Sequence, residues 1–345
     1  MTFMTPAAER LQWVDVAKGV GILLVVYGHV QQGLYLAGMK VPQCFFYAER
    51  IIYSFHMPLF FFLSGIFAEK SLSKGRGVFV WDKIKVLLYP YFLWSLLHGG
   101  IQVILSPYTN DKLTVVDLFK TIYIPIAHFW FLQALFFSCV FYALLKKYLP
   151  IYAILIIAAS MYIGKFFLDP GPVHNISRMF LFFVAGSLFS FISYKIQKGI
   201  GAKALLLIGV LFILFHVAVF HFDITDVGLV KLAAVIVGIA FVISLSIHYQ
   251  YNPASNIIGQ LGFLAMPIYL GHVIGLAATR IVLLKVFHVE DVFIHLLTGC
   301  IAGIAFPVLL FIAANRLGFY WLFTLSRKSA LTQPYTSYAF RQQML

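Results

Sequence analysis

Carboxylates are what this sequence has least of: 12 Asp and Glu among 345 residues, so that even with 25 Lys and Arg the charged share is only 11%. A water-soluble domain carries about 25% charged residues, which excludes a soluble enzyme of one or two domains. Cysteine is scarce as well. Cys44, Cys139 and Cys300 lie far apart and match no ligand or redox spacing. No GxGxxG, P-loop, HExxH or CxxC pattern is present, and Gly19 and Gly21 form only an isolated GxG inside an apolar run. Nucleotide hydrolysis and zinc chemistry therefore have no support, and no metal is expected. The N-terminus lacks a short apolar core followed by a small-residue cleavage site, so the first hydrophobic segment is expected to remain as a membrane helix.

What the sequence has is hydrophobicity: 62% of its residues, 36 Phe and 19 Tyr among them, and a mean hydropathy of +0.93. The apolar stretches run for about 20 residues, the length a helix needs to cross a ~30 Å hydrocarbon core, whereas barrel strands would alternate over about ten. A window of about 19 residues gives spans near 14–36, 47–68, 84–106, 127–146, 149–168, 176–194, 203–221, 228–248, 262–284 and 293–315. Breaks between them carry turn chemistry: Ser71 to Gly77, Ser106 to Asp111, Asp169 to Pro172, Asp223 to Asp226 and Tyr251 to Asn256. The expectation is an all-α integral membrane protein of about ten transmembrane helices, one domain over residues 1–345 with no repeat and no long linker.

Loop charge gives the orientation. Arg10; Lys70, Lys74, Arg76, Lys83 and Lys85; Lys146 and Lys147; Lys195, Lys198 and Lys203; and Arg327, Lys328 and Arg341 all fall on one side. That richer side is expected to be cytoplasmic, with both termini inside, a basic cytoplasmic loop at 69–85 and a short cytoplasmic tail at 316–345. The segment 249–261 is placed inside as well, although it carries no Lys or Arg. The net charge of +13 is accounted for by this topology, and no nucleic-acid partner is expected.

Charged side chains inside spans cost about 2.5–3.5 kcal/mol each on insertion scales, so each is a candidate for function. The first span holds Asp15, Lys18 and His29. At about 100° per residue, Lys18 and His29 fall within about 20° of each other and Asp15 lies about 40° away. Asp15 and Lys18, at i and i+3, can neutralise one another, leaving His29 roughly 16 Å deeper. A neutral imidazole is the best general base near pH 7; the alternative for His29 is an interhelical hydrogen bond. His56 precedes Pro58 and the Ser64-Gly65 pair, a setting for lining a cavity. His128 and Trp130 open the fourth span as interfacial anchors or site residues, and Arg178 opens the sixth, where snorkelling to the outer interface is the default. His272 lies at mid-depth in a span interrupted by Pro267, with function and packing both open. The basic segment carrying Arg76, Lys83 and Lys85 holds topology, and would also suit a phosphate-bearing cytosolic cofactor.

These pieces together resemble the membrane-bound acyltransferase 3 proteins, within them the branch of fucose-4-O-acetylase-like sugar O-acetyltransferases. The resemblance rests on Asp15-Val-Ala-Lys18 through Tyr27-Gly-His29, Phe55-His56-Met-Pro58 through Ser64-Gly65, Lys83-Ile-Lys85 before Tyr89-Pro90-Tyr91, His128-Phe-Trp130, and Ile268-Tyr269-Leu-Gly-His272. It implies transfer of an acetyl or other short acyl group from acetyl-CoA, as donor substrate, to a hydroxyl of a cell-surface polysaccharide (an exopolysaccharide, for example) or a lipid-linked sugar, in a bacterial inner membrane. It also implies a catalytic role for His29, paired with Lys18 where relatives usually carry Arg and helped by Asp15. CoA phosphates would be held by Lys83, Lys85 and Arg76. His56, His128, Trp130, Arg178 and His272 are the candidates for the acceptor. His29 acts as general base or as the nucleophile of an acyl-imidazole; the sequence leaves both open. A transporter or flippase for envelope glycans or lipids is the alternative, predicting pseudo-symmetric halves with paired broken helices; a non-enzymatic assembly partner would tolerate replacement of His29.

Overall fold

Segments that are apolar around the whole helix, rather than along one stripe, have nowhere to go in water. In the computed structural model, which describes residues 11–104, 114–196, 199–224 and 227–326, they become long helices. In chain order these are α1 (Gln12–Leu36), α2 (Gln43–Ile66), α3 (Ala68–Leu72), α4 (Arg76–Lys83), a π-helical turn (Ile84–Leu88), α5 (Tyr89–Ile104), α6 (Val115–Lys120), α7 (Trp130–Leu145), α8 (Ile151–Gly164), α9 (Pro172–Ile196), α10 (Ala202–His221), α11 (Gly228–Tyr249), α12 (Pro253–Phe263), α13 (Ala265–Lys285) and α14 (Val292–Arg316). Single 3-10 turns lie at Ala127–Phe129, Lys165–Phe167 and Tyr320–Leu322. No strand occurs among the described residues.

Eight helical stretches among the described residues are long and apolar enough to cross a bilayer: 12–36, 76–104, 127–145, 172–193, 202–221, 228–249, 265–285 and 292–316. The other two expected spans correspond to α2, whose 24 residues are diluted by Glu49, Arg50 and His56, and to the shorter apolar stretch 151–167. The outward faces of α10 and α14 expose Leu206, Leu207, Leu211, Leu297, Ile301 and Leu309. Such continuous apolar surface is costly in water and matched by hydrocarbon.

Two segments expected as loops are helical. The basic stretch 69–85 forms α3, α4 and the start of the π turn, because Phe79 is fully buried and Asp82 pairs with Lys85 one turn on. Lys83 and Lys85 thus sit on a helix continuous with α5. The segment 249–261 becomes α12, started by Asn252, whose side chain accepts from the Ala254 N–H at 2.9 Å, with Pro253 at the first helical position. Helix α12 runs beside α1: a Cβ at Gly262 would overlap the Asp15 carbonyl oxygen, and one at Gly19 that of Ile258. Contact this close suits small residues between membrane helices, and it explains how a segment without Lys or Arg holds its place. At Leu264 the path breaks and continues as α13 along the upper half of α1. Helices α2 and α9 touch in the same manner at Gly65 and Gly186.

Gln12 and Asn256 share a 3.5 Å contact at one end of the bundle, called here the Gln12 side. The end of α2 returns to this side, where Lys18 Nζ lies 5.5 Å from the Phe67 ring. Glu69 ties α3 to α7 there through Lys146 at 3.0 Å and the Tyr142 hydroxyl. The opposite end is the Leu36 side. The turn Ser106 to Asp111, the basic residues Arg10, Lys198, Arg327, Lys328 and Arg341, and the tail beyond Ser326 lie outside the described residues.

Candidate functional site

Helix geometry fixes the chemistry of the buried imidazoles. His29, His56, His216 and His272 each turn Nδ1 back onto the carbonyl four residues earlier, at 2.9 Å to Val25, 2.8 Å to Ile52, 2.9 Å to Phe212 and 3.1 Å to Ile268. A carbonyl only accepts, so Nδ1 carries the proton and Nε2 of the neutral ring is left as the basic atom. His272 Nδ1 also lies 2.8 Å from the Tyr269 carbonyl. Its Nε2 lies 3.3 Å from His29 Nδ1, so the N–H of His29 is shared between the Val25 carbonyl and His272. One ring thereby holds the other in a single tautomer and orientation.

Two more imidazoles extend the cluster. The His128 ring centre is 5.7 Å from that of His29, 5.0 Å from His272 and 5.4 Å from His98. His98 donates Nε2–H to the Leu270 carbonyl at 3.0 Å, while the Tyr269 hydroxyl donates to the carbonyl of His128. His128 Nε2 is buried with no hydrogen-bond partner. Among the described residues, no three His, Cys, Asp or Glu converge as ligands on one point.

His29, half-buried, opens onto a cavity of about 490 Å³ on the Leu36 side. The wall includes His56, His128, His216, Tyr53, Trp130 and Tyr269, apolar groups such as Met57, Val219 and Val235, and four cations, Arg50, Lys165, Arg178 and Lys231. No carboxylate is among its described lining residues. Arg178 does not snorkel: its guanidinium carbon lies 5.2 Å from the centre of the Trp130 ring, and its Nε is buried without a partner.

The residues singled out in the sequence therefore fall into two groups. His29, His56, His128, Trp130 and Arg178 line one cavity, with His272 bound to His29 behind its wall. Asp15, Lys18, Arg76, Lys83 and Lys85 are not part of it. Lys18 is at the Phe67 ring, Lys83 Nζ lies 5.2 Å from the Phe79 ring, Lys85 is 3.1 Å from Asp82, and Arg76 is exposed. Sequence reasoning missed Tyr53, His98, Lys165 and His216. For His216 the signal was present, a titratable residue inside an apolar run; Lys165 lies at the end of an expected span, where a cation needs no functional explanation.

Comparison with known proteins agrees with this architecture. A family model described as an acyltransferase domain, acyltransferase 3, matches residues 11–312. The chain is 32% identical over 152 residues to the nodulation protein NolL of Mesorhizobium japonicum, an alignment covering 42% of this chain and 38% of that protein, so the chain spans well under half of that relative's length. No solved structure matches. A family match running from the start of α1 into α14, over helices long and apolar enough to span a bilayer, makes the chain a member of the acyltransferase 3 family and an integral membrane protein.

Proposed function

We propose that this acyltransferase moves an acetyl or other short acyl group from acyl-CoA to a hydroxyl of a cell-surface polysaccharide or its lipid-linked precursor. The observation that carries the reading is His29, held as the Nδ1–H tautomer by Val25 and His272 on the wall of a polar cavity. Its Nε2 takes the proton of the acceptor hydroxyl as that oxygen attacks the thioester carbonyl. The carbon–sulfur bond then breaks, and the proton passes from His29 to the departing thiolate, giving the O-acyl ester and free CoA. His272 keeps the imidazole oriented through both transfers. In this reading the Gln12 side faces the cytoplasm of a bacterial inner membrane. CoA phosphates rest near Arg76, Lys83 and Lys85, and the pantetheine arm passes Lys18 and Asp15 to reach His29, about 16 Å along α1. The acceptor enters the cavity from the opposite side.

The test is acyl content of surface glycans, by mass spectrometry, in a deletion strain complemented with wild type, His29→Ala or Lys18→Arg at equal membrane abundance. Wild type is expected to restore an acyl mass that His29→Ala does not, with Lys18→Arg at or near wild type. Restoration by His29→Ala would remove His29 from the mechanism. An acetyl adduct on His29 after mixing the protein with acetyl-CoA alone would turn the base into a nucleophile.

A further inference from the structure

Two of the cavity's cations, Lys165 and Arg178, have no carboxylate counterpart among the described residues. Lys165 is only 7% exposed, yet its ammonium sits among rings, 3.5 Å from the centre of Tyr162 and 4.9 Å from that of Phe166. Arg178 rests against Trp130 with Nε unpartnered. Among the described residues neither has a carboxylate partner within ion-pair distance. The exposed Lys120, by contrast, has Asp117 at 2.8 Å. Burying an ammonium and a guanidinium beside one cavity is unfavourable unless something neutralises them, and ring faces recover only part of that cost. Both cations come from one unit: the 3-10 turn after α8 carries Lys165, and the first turns of α9 carry Arg178. A planar fork and a point charge in one wall are what recognise a phosphate or a carboxylate.

We propose that the acyl acceptor is anionic, and that Lys165 and Arg178 hold its charged group in the cavity that His29 lines. The proposal rests on the reading of this cavity as the acceptor site. The shared chemistry is an oxyanion, supplied either by the phosphate of a lipid carrier or by the carboxylate of an acidic sugar. Lys165 and Arg178 are then specificity determinants, setting which glycan is held long enough to meet the acyl donor.

The experiment uses the full chain in nanodiscs of phosphatidylcholine, a lipid without net charge. The probes are a polyprenyl-phosphate-linked monosaccharide, an oligouronate and a neutral glucan oligosaccharide of the same length. Binding is measured without acetyl-CoA, and transfer is then measured with radiolabelled acetyl-CoA. At least one anionic probe is expected to bind about tenfold or more tightly than the neutral one, with affinity falling as salt rises. Lys165→Gln and Arg178→Gln are each expected to remove most of that preference, and Lys165→Arg to keep it. Should Arg178→Gln fail to fold, Lys165→Gln and the salt dependence of wild type carry the test. Preference for the polyprenyl probe identifies a lipid-linked acceptor, and preference for the oligouronate an acidic saccharide. Equal binding of charged and neutral probes, or no binding by any of them, overturns the proposal. Anion binding that depends on Lys165, with no acyl transfer in any arm, upholds the anion site and removes the reading of the cavity as an acyl-acceptor site.

Discussion

On the Gln12 side basic side chains stand beside acids: Lys85 is 3.1 Å from Asp82 and Lys146 is 3.0 Å from Glu69, which also receives the Tyr142 hydroxyl. In the cavity toward the Leu36 side, Lys165 and Arg178 stand beside Tyr162 and Trp130 instead. The first arrangement is neutral within each pair, and Lys146 with Glu69 also ties α7 to α3. The second has no acid beside it, and in the proposed reading an anionic acceptor supplies the missing charge. Counting Lys and Arg by loop, as an orientation argument does, cannot separate the two, because the difference lies in the partner and not in the cation.

The largest effect that would sharpen this contrast is at His29. His29→Ala is expected to lower acyl transfer by about 10²–10⁴-fold, read as turnover in nanodiscs at equal protein; an unchanged rate would break the assignment of chemistry to the cavity. Next comes the seam that joins the two ends. Gly262→Val drives a side chain into the Asp15 carbonyl and is expected to cost about 1–3 kcal/mol, seen as a lowered melting temperature together with lost activity. His272→Phe keeps a ring but removes the acceptor for the His29 N–H. A loss of about 0.5–1.5 kcal/mol, up to about tenfold in kcat, is expected. The pH–rate profile should also move, which a simple packing defect would not produce.

Lys83→Gln with Lys85→Gln is expected to raise the KM for acyl-CoA by a few-fold while acceptor binding holds, because half-exposed cations in screened surroundings contribute little each. A larger effect on acceptor than on donor would invert the comparison. Asp117→Asn is the smallest. Its carboxyl is held below the usual carboxylate range by Lys120 and Thr114, so whatever it contributes is fully present above its unfolded value near about 4 and lost only as pH falls below that. The replacement is expected to lower the melting temperature slightly and by the same amount from pH 5 to 8, with the gap to wild type closing only in acid.

The long apolar helices were legible because hydropathy over about 20 residues reports the bilayer directly. The face shared by Asp15, Lys18 and His29 was legible too, since helical phase needs no tertiary information. What could not be read was convergence. Lys165 and Arg178 flank one connection, but His29 and His216 come from other helices, and the four meet only because the ends of α8, α9 and α10 gather with α1 around one space. Helix α12 was hidden for a different reason: its Pro, Asn and Ser cluster has turn composition, and what holds it as a helix is close packing on α1 at Gly19 and Gly262. The role of His272 needed the three-dimensional fact that α13 continues along α1 after the break at Leu264.

The π turn at Ile84–Leu88 also has a genetic consequence. It carries one residue more than an α-helical turn needs, and the Lys85 carbonyl meets Thr324 Oγ1 and the Leu325 N–H, each at 3.4 Å. Deleting a single residue between Ile84 and Leu88 would leave an uninterrupted helix of ordinary pitch, with every codon still in frame. Yet α4 would turn by about 100° relative to α5, swinging Phe79 out of the core and Lys83 away from its present direction, and the docking point of the chain's last described residues would be gone. The length of this segment is therefore under tighter constraint than its side chains, and it should tolerate substitution far better than it tolerates loss of one residue.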